Sequence, residues 1–211
     1  CEVITLHPQL TDEKPYPSRY LLGQRELSGL RAHQLLINAS RGPVIDNQAL
    51  LTQLQAASPP AVVLDVWENE PQIHSALLAA VGLGTAHIAG YSLDSKLRGT
   101  SMLLSALSDC LPATQHVSQP IDSAAVTYNP DLNGVELMRD LLLAHCPIRE
   151  DDALLRHAMA SDNRAAALDD LRRHYAPRYE FAGKLIPLGT QADQAARRRA
   201  LGCGCAHEPV Q

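Results

Sequence analysis

The sequence has few aromatic residues and no long apolar run, and both shortages restrict its function. Aromatic residues make up 4% of the 211 residues, which leaves little surface for the base stacking that single-stranded nucleic acids require. No apolar run approaches the roughly 18 residues of a membrane-spanning helix. The net charge of −5 argues against affinity for nucleic acid or for an anionic membrane surface. The remaining composition is that of an ordinary globular protein.

Cysteine is also scarce, and its spacing is irregular. The odd number of cysteines argues against a disulfide framework and favours a reducing, cytoplasmic environment. Cys203 and Cys205, with His207 close by, do not have the spacing of a zinc site, so we expect no metal. The five cysteines stand at positions 1, 110, 146, 203 and 205.

A glycine-rich phosphate loop and an initiator methionine are missing as well. The pattern G-x-G-x-x-G does not occur, because Gly82-x-Gly84 lacks the third glycine. The sequence starts at Cys1 and lacks the basic start of a signal peptide. We therefore expect the chain to be the second half of a dinucleotide-binding domain followed by further structure, and to come from a longer protein.

Buried strands alternate with short helices over residues 1–118, a pattern typical of a parallel α/β sheet. The segment 61–66 has no polar alternation, so we expect it to be covered on both faces, as parallel strands are. Asp94 is predicted to cap the last helix of this region. The predicted strands cover 3–6, 35–38, 61–66 and 84–88, and the predicted helices cover 21–30, 47–57, 72–80 and 94–110.

The pattern changes near Pro120, where a second domain is predicted over residues 119–205, with a tail at 206–211. Its mixture of strands and helices predicts a small α+β unit. Asn133 and Ser161 are predicted to cap two of its helices. The predicted strands cover 124–129 and 180–188, and the predicted helices cover 133–144, 162–175 and 191–201.

Three predicted strand ends carry ionisable side chains. Arg41 follows the strand 35–38, Glu70 stands before a proline after the strand 61–66, and His87 ends the strand 84–88. A carboxylate and an imidazole form a proton-transfer pair if the fold brings them together. Each residue alone is more often a surface arginine, a turn acid or a loop histidine. The three predicted strand ends thus present an arginine, a glutamate and a histidine, and the residues alone leave both interpretations open.

Three motifs that contain these residues resemble the D-isomer-specific 2-hydroxyacid dehydrogenases. They are NASRGPVID at 38–46, LDVWENEP at 64–71 and HIAG at 87–90, in family order and at family-like spacing. The resemblance covers nearly the whole chain and corresponds to the second half of the family protein. It implies a Rossmann-type NAD-binding domain and a cytoplasmic oxidoreductase that dimerises through its C-terminal domain.

The resemblance also implies catalytic roles. Arg41 would hold the carboxylate and the carbonyl oxygen of a 2-hydroxy acid, which suits a planar, bidentate guanidinium. His87 would take the hydroxyl proton while a hydride leaves to NAD, and Glu70 would orient the imidazole. The isolated chain is expected to be inactive, because hydride transfer requires both cofactor and substrate to be positioned.

Cofactor and substrate contacts are implied for three further residues. Asp65 and Gly90 would contact the nicotinamide side of NAD. Tyr91 would contact the substrate, which the resemblance implies to be a small phosphorylated hydroxy acid. One position departs from the family, whose usual His-Thr-Pro is replaced by His7-Pro8-Gln9, so no threonine role is transferred.

Two alternatives stay open from the sequence. Another D-2-hydroxyacid dehydrogenase, such as a phosphoglycerate dehydrogenase, would use the same arginine, glutamate and histidine. Tyr91 and the C-terminal domain argue against that alternative. The second is a non-catalytic, truncated fragment that only dimerises, which the missing glycine loop and methionine favour.

Overall fold

The computed structural model describes residues 1–108 and 134–180, with two short strands at 185–186 and 206–207. The chain divides into a first unit, Cys1–Ala89 with Ile148–Tyr175, and a second unit, Gly90–Pro147 with Ala176–Gln211. The predicted boundary between residues 118 and 119 lies outside the described residues. The sequence analysis assigned 148–175 to the C-terminal domain, whereas the contacts group this segment with the first unit.

The first unit is built on a parallel sheet, which confirms the predicted α/β class. Its strands are β1 (Val3–Leu6), β2 (Leu35–Asn38), β3 (Ala61–Leu64) and β4 (Leu83–Gly84), in the order β1-β2-β3-β4. The last residues of the four strands are in register, because Leu6 pairs with Asn38, Asn38 with Leu64, and Leu64 with Gly84. The carboxyl ends therefore meet at one edge of the sheet.

The three helices that connect the strands are α1 (Gln24–Ser28), α2 (Asn47–Leu54) and α3 (Ser75–Ala80), and each is shorter than the helix predicted there. Helix α2 touches both α1 and α3, so these three connecting helices form one layer against the sheet. Asp46 caps α2 by accepting a hydrogen bond from Ala49 N at 2.9 Å. The remaining helices of the described residues are α4 (Leu93–Ser108), α5 (Gly134–His145), α6 (Ile148–Met159) and α7 (Arg164–Arg173).

The core of the first unit lies between these layers. Leucines and valines from strands and helices are buried together, and each contributes roughly 1.5–3 kcal/mol of transfer free energy. Leu155 of α6 and Leu168 of α7 join the same cluster. The fully buried members include Leu36, Val62, Leu64, Leu27, Leu50, Leu77 and Leu155.

Helix α6 was not predicted from the sequence, and it covers the β4 end of the sheet. Asp152 Oδ1 accepts a hydrogen bond from Gly84 N at 2.7 Å. Arg156 donates to Leu78 O at 2.6 Å and to Val81 O at 3.2 Å, which satisfies carbonyls at the end of α3. The edge strand thus receives polar partners from a helix.

Two predicted helix caps are wrong. Ser92, rather than Asp94, caps α4, since Ser95 N donates to Ser92 Oγ at 3.1 Å, while the Asp94 carboxylate accepts from the backbone N–H of Glu180 at 2.6 Å. Asn163, rather than Ser161, caps α7 through a hydrogen bond from Ala166 N. A polar side chain near the start of a helix can bind a group outside the helix instead of capping it. The sequence does not show which of the two it does.

Several predicted elements of the C-terminal domain lie outside the described residues. These are the strand 124–129, the cap Asn133, the helix 191–201 and most of the strand 180–188. Of that last strand, Leu185–Ile186 is described as β5, and it pairs in parallel with β6 (Ala206–His207). Across residues 1–108 and 134–180, every helix is too short or too polar to cross a membrane.

Glu180 ties its own segment to the start of α4 within the second unit. Its Oε1 accepts hydrogen bonds from the hydroxyls of Ser92 and Ser95, and its Oε2 accepts from Arg98 Nη2 at 2.8 Å. The hydrogen bond from Ser95 lowers the pKa of Glu180 the most; burial opposes this, and the Arg98 guanidinium lowers the pKa further. The start of α4 therefore depends on a charged carboxylate.

Acid is expected to loosen this contact. Because the pKa of Glu180 is lowered in the folded state, its contribution to stability is complete above its ordinary pKa and is lost as the pH falls through the lowered value. In Glu180→Gln, amide hydrogen exchange at Ser95 is expected to be faster at neutral pH and to show no further acid-dependent rise relative to α2. Equal protection of Ser95 in both proteins at neutral pH would contradict this prediction.

Candidate active site

The structure brings Glu70 and His87 into direct contact. His87 Nδ1 lies 2.8 Å from Glu70 Oε2, and both side chains keep about a quarter of their surface exposed, at 28% and 22%. The other carboxylate oxygen of Glu70, Oε1, accepts a hydrogen bond from Trp67 N at 2.8 Å. Both carboxylate oxygens of Glu70 are thus held, and the contact at Nδ1 fixes the orientation of the His87 ring.

Asp65 holds the backbone on both sides of His87. Its buried carboxylate accepts hydrogen bonds from Thr85 Oγ1 at 2.6 Å, from Ile88 N at 2.8 Å and from Ala89 N at 2.9 Å. Its main-chain oxygen accepts from His87 N at 2.8 Å. Asp65 directly follows β3, so one residue at the end of that strand makes four hydrogen bonds to the segment after β4.

His87 itself has a left-handed backbone, with φ of 57°. A residue other than glycine rarely adopts this conformation and pays for it in free energy, unless its surroundings impose it. Here Asp65 accepts hydrogen bonds from the N–H groups of residues 87, 88 and 89, and these bonds impose the left-handed conformation on His87. The left-handed turn directs the imidazole toward Glu70 rather than along the strand.

Arg41 lies at the end of the neighbouring strand, β2. Its main-chain oxygen accepts a hydrogen bond from Asn38 Nδ2 at 3.0 Å, and its guanidinium donates to Ser40 O at 2.7 Å. Asn38 is buried, and its Oδ1 also accepts hydrogen bonds from the backbone N–H and the hydroxyl of Ser40. Arg41 is exposed, and its backbone is held by the buried Asn38 side chain. An exposed guanidinium on a fixed backbone suits the binding of an anion.

An open cleft of about 580 Å³ lies between the ends of β1 and β2. In open α/β sheets, ligands bind outside the carboxyl ends of the strands. His7, which lines the cleft, is linked through Nε2 to Thr5 Oγ1 at 2.8 Å. The sequence has no glycine loop that would hold a pyrophosphate at this edge of the sheet. Its lining residues are His7, Pro8, Gln9, Leu10, Ala39, Ser40 and Arg41.

Gly90 and Tyr91 open the second unit. Gly90 has φ of 80°, a conformation that favours glycine. The Tyr91 ring lies beneath the Lys96 ammonium, which is 4.2 Å from the ring centroid, a cation–π geometry. The predicted cofactor contact of Gly90 and the predicted substrate contact of Tyr91 remain predictions.

Sequence reasoning missed the residues that support the site. Thr85 donates to Asp65, and its main-chain oxygen accepts a hydrogen bond from the Trp67 indole at 2.9 Å. Asn38 holds the turn that carries Arg41. Both are buried polar residues. Asn38 stands inside the first motif and Thr85 two residues before the third. These positions were the available signal, because a polar residue at a buried strand end requires a partner.

Comparison with known proteins supports the resemblance that the motifs indicated. Residues 1–89 match the family model of the D-isomer specific 2-hydroxyacid dehydrogenase, NAD binding domain. Within that family, HIAGYS at 87–92 with KLRGT at 96–100 resembles erythronate-4-phosphate dehydrogenase. A curated protein of that name from Pseudomonas aeruginosa is 40% identical over 216 residues, which cover 96% of this chain and 55% of the relative.

A second curated relative bears the same name. The erythronate-4-phosphate dehydrogenase of Marinobacter nauticus is 41% identical over 210 residues, with 96% of this chain and 55% of the relative covered. Among solved structures, a glyoxylate reductase from Paecilomyes thermophila matches 52% of this chain and 32% of its own, with 27% identity and a TM-score of 0.46. The chain spans about half the length of the curated relatives it matches. Residues 1–89 belong to the NAD-binding domains of the D-isomer-specific 2-hydroxyacid dehydrogenase family.

Proposed function

We propose that the protein containing this chain oxidises 4-phospho-D-erythronate to 3-hydroxy-2-oxo-4-phosphooxybutanoate with NAD, in the biosynthesis of pyridoxal 5′-phosphate. The observation that carries the proposal is the Glu70–His87 contact of 2.8 Å beyond the ends of β3 and β4. Relatives about 40% identical over 96% of this chain bear the name of that dehydrogenase. Within this proposal, the reaction takes place in the cytoplasm.

Proton transfer belongs to His87 in this proposal. Nε2 accepts the proton of the C2 hydroxyl while the C2–H bond breaks and its electron pair leaves as a hydride. NAD supplies the hydride acceptor when bound, so the alcohol is oxidised to a ketone and the proton stays on the imidazole. Glu70, which holds Nδ1, keeps the ring in place as it gains the proton. The proton then passes to solvent.

Arg41 binds the other end of the reacting group. Its guanidinium pairs with the carboxylate at C1 and donates to the C2 oxygen, where a carbonyl develops. Asp65 and Gly90 contact the nicotinamide side of the cofactor, and Tyr91 contacts the substrate. The cleft at the ends of β1 and β2 supports this assignment, because Arg41 lines it.

We further propose that the protein is a homodimer that associates through residues 119–205. Exposed apolar side chains in this range support it, namely Val135 and Leu142 of α5 and Leu154 of α6, which are 68%, 40% and 49% exposed. Light scattering after size-exclusion chromatography is expected to give twice the protomer mass. A monomer at micromolar concentration would contradict this part of the proposal.

An assay of the gene product that contains this chain tests the reaction. NADH formation is expected with 4-phosphoerythronate and NAD, and little with 3-phosphoglycerate under the same conditions. Faster turnover of 3-phosphoglycerate would reassign the substrate to that of a phosphoglycerate dehydrogenase. No NADH with either substrate, together with no NAD binding in equilibrium dialysis, would favour the non-catalytic alternative.

A further inference from the structure

We propose that Trp67 is the positioning residue that holds the ends of β2, β3 and β4 at the separation the active site requires. Trp67 lies three residues before Glu70, is 3% exposed, and is the only tryptophan among the 211 residues. It has no place in the proton transfer described above. Its contacts nevertheless reach the loops that carry Arg41, Glu70 and His87.

On the β4 side, the indole acts as both a spacer and a hydrogen-bond donor. Nε1 donates to Thr85 O at 2.9 Å, two residues before His87. The six-membered part of the ring lies so close to Gly84 that a Cβ atom there would come within 2.8 Å of Cζ2 and 2.9 Å of Cη2. The end of β4 can lie this close to the Trp67 ring only because residue 84 has no side chain.

On the β2 side, the main chain of Trp67 makes the contact. A Cβ atom on Gly42 would lie 2.1 Å from both the carbonyl carbon and the carbonyl oxygen of Trp67. The turn that directly follows Arg41 is therefore packed against the backbone of residues 67 and 68, with no space between them. The position of Arg41 relative to Glu70 depends on this packing.

The third contact is with the catalytic carboxylate itself. Trp67 N donates to Glu70 Oε1 at 2.8 Å, so the residue that spaces the strand ends also orients the carboxylate that holds His87. A displacement of Trp67 would move all three side chains relative to one another. A misplacement of about 1 Å in a reacting geometry can cost roughly a hundredfold in rate.

The sharpest variant is Gly84→Ala, with Gly82→Ala as its matched control. The two glycines stand two residues apart at β4, but a Cβ atom at Gly82 would meet only Val62 O, at an ordinary 3.4 Å. Trp67→Phe is the second variant, because it keeps an aromatic ring and removes the Nε1–H donor. Its smaller ring leaves space beside Gly84, so Gly84→Ala crowds the packing between β4 and the ring whereas Trp67→Phe loosens it.

The kinetic expectation rests on the proposed function. In the gene product that contains this chain, Gly84→Ala and Trp67→Phe are expected to lower kcat by about tenfold to a hundredfold. The KM for NAD is expected to change less than threefold, and the pH profile of kcat to shift, because the contact of the imidazole with Glu70 is altered. Gly82→Ala is expected to match the wild type in all three quantities.

A spectroscopic measurement keeps the proposal independent of any activity. With ¹⁵N-labelled histidine, the Nδ1 signal of His87, assigned by its loss in His87→Asn, is expected to shift in Gly84→Ala and Trp67→Phe but not in Gly82→Ala. Absence of turnover in the wild type would refute the proposed function and leave this readout in place. The positioning role is refuted if both variants are folded by circular dichroism and retain the wild-type His87 signal.

Discussion

Replacement of His87 by asparagine is expected to lower kcat by roughly 10²–10⁴-fold, the usual contribution of a general acid or base. Asparagine suits the position for two reasons. Its amide can donate to Glu70 as Nδ1 does, and asparagine tolerates the left-handed backbone better than most residues. The variant therefore removes Nε2, the proton acceptor, while the contact with Glu70 is retained.

The binding of substrate is expected to change little in this variant, because the charge that attracts the carboxylate belongs to Arg41. A change confined to kcat, with KM within about threefold, would identify an interaction made in the transition state. The control is His33→Asn, at an exposed turn of the same unit, for which wild-type kinetics are expected. Retention of more than a tenth of wild-type kcat in His87→Asn would exclude His87 as the proton acceptor.

The sheet could be predicted from the sequence because its signals are local. Each strand is a short apolar run, each connection contains a helix, and right-handed crossovers leave few arrangements for such a chain. Glu70 and His87 both stand near the carboxyl ends of predicted parallel strands, so their meeting at one edge of the sheet was a reasonable expectation. The structure brings them to 2.8 Å, although they are seventeen residues apart.

Helix α6 could not be predicted in the same way, because its place depends on contacts distant in sequence. Its first turn is acidic and reads as a solvent-exposed face. The carboxylate of Asp152 binds Gly84 N across 68 residues, and Arg156 binds Leu78 O across 78. No periodicity in the helix itself indicates that a charged pair will cover the edge of a sheet, since the acceptors and donors concerned are backbone groups.

Asp65 shows the same limit within the candidate site. The family resemblance implies that it contacts the nicotinamide, and that role remains a proposal. The structure shows both carboxylate oxygens bound to Thr85, Ile88 and Ala89. Asp65 therefore holds the backbone of the site even without a cofactor. The sequence does not show this, because the backbone groups that Asp65 binds are known only from the fold.

Asp65→Asn is therefore expected to destabilise the first unit even without ligand. One carboxylate oxygen of Asp65 is replaced by an NH₂ group, which cannot accept a hydrogen bond. At least one of the groups that donate to Asp65 therefore loses its acceptor. A donor left unpaired beside this buried side chain costs about 1–3 kcal/mol, so we expect a loss of roughly that size in the free energy of unfolding in urea. Thr85→Val, which removes one of the three donors, is expected to cost less than Asp65→Asn.

The control is Asp12→Asn, which breaks an exposed pair with Arg19 and leaves no buried group unpaired. No measurable change in stability is expected there, because exposed ion pairs contribute little. Hydrogen exchange at the amides of Ile88 and Ala89 locates the effect, since these amides bind Asp65 directly. If Asp65→Asn unfolds at the same urea concentration as Asp12→Asn and both amides stay protected, the left-handed backbone of His87 must be maintained by the packing of its neighbours. The carboxylate would then be available for the cofactor, as the resemblance implies.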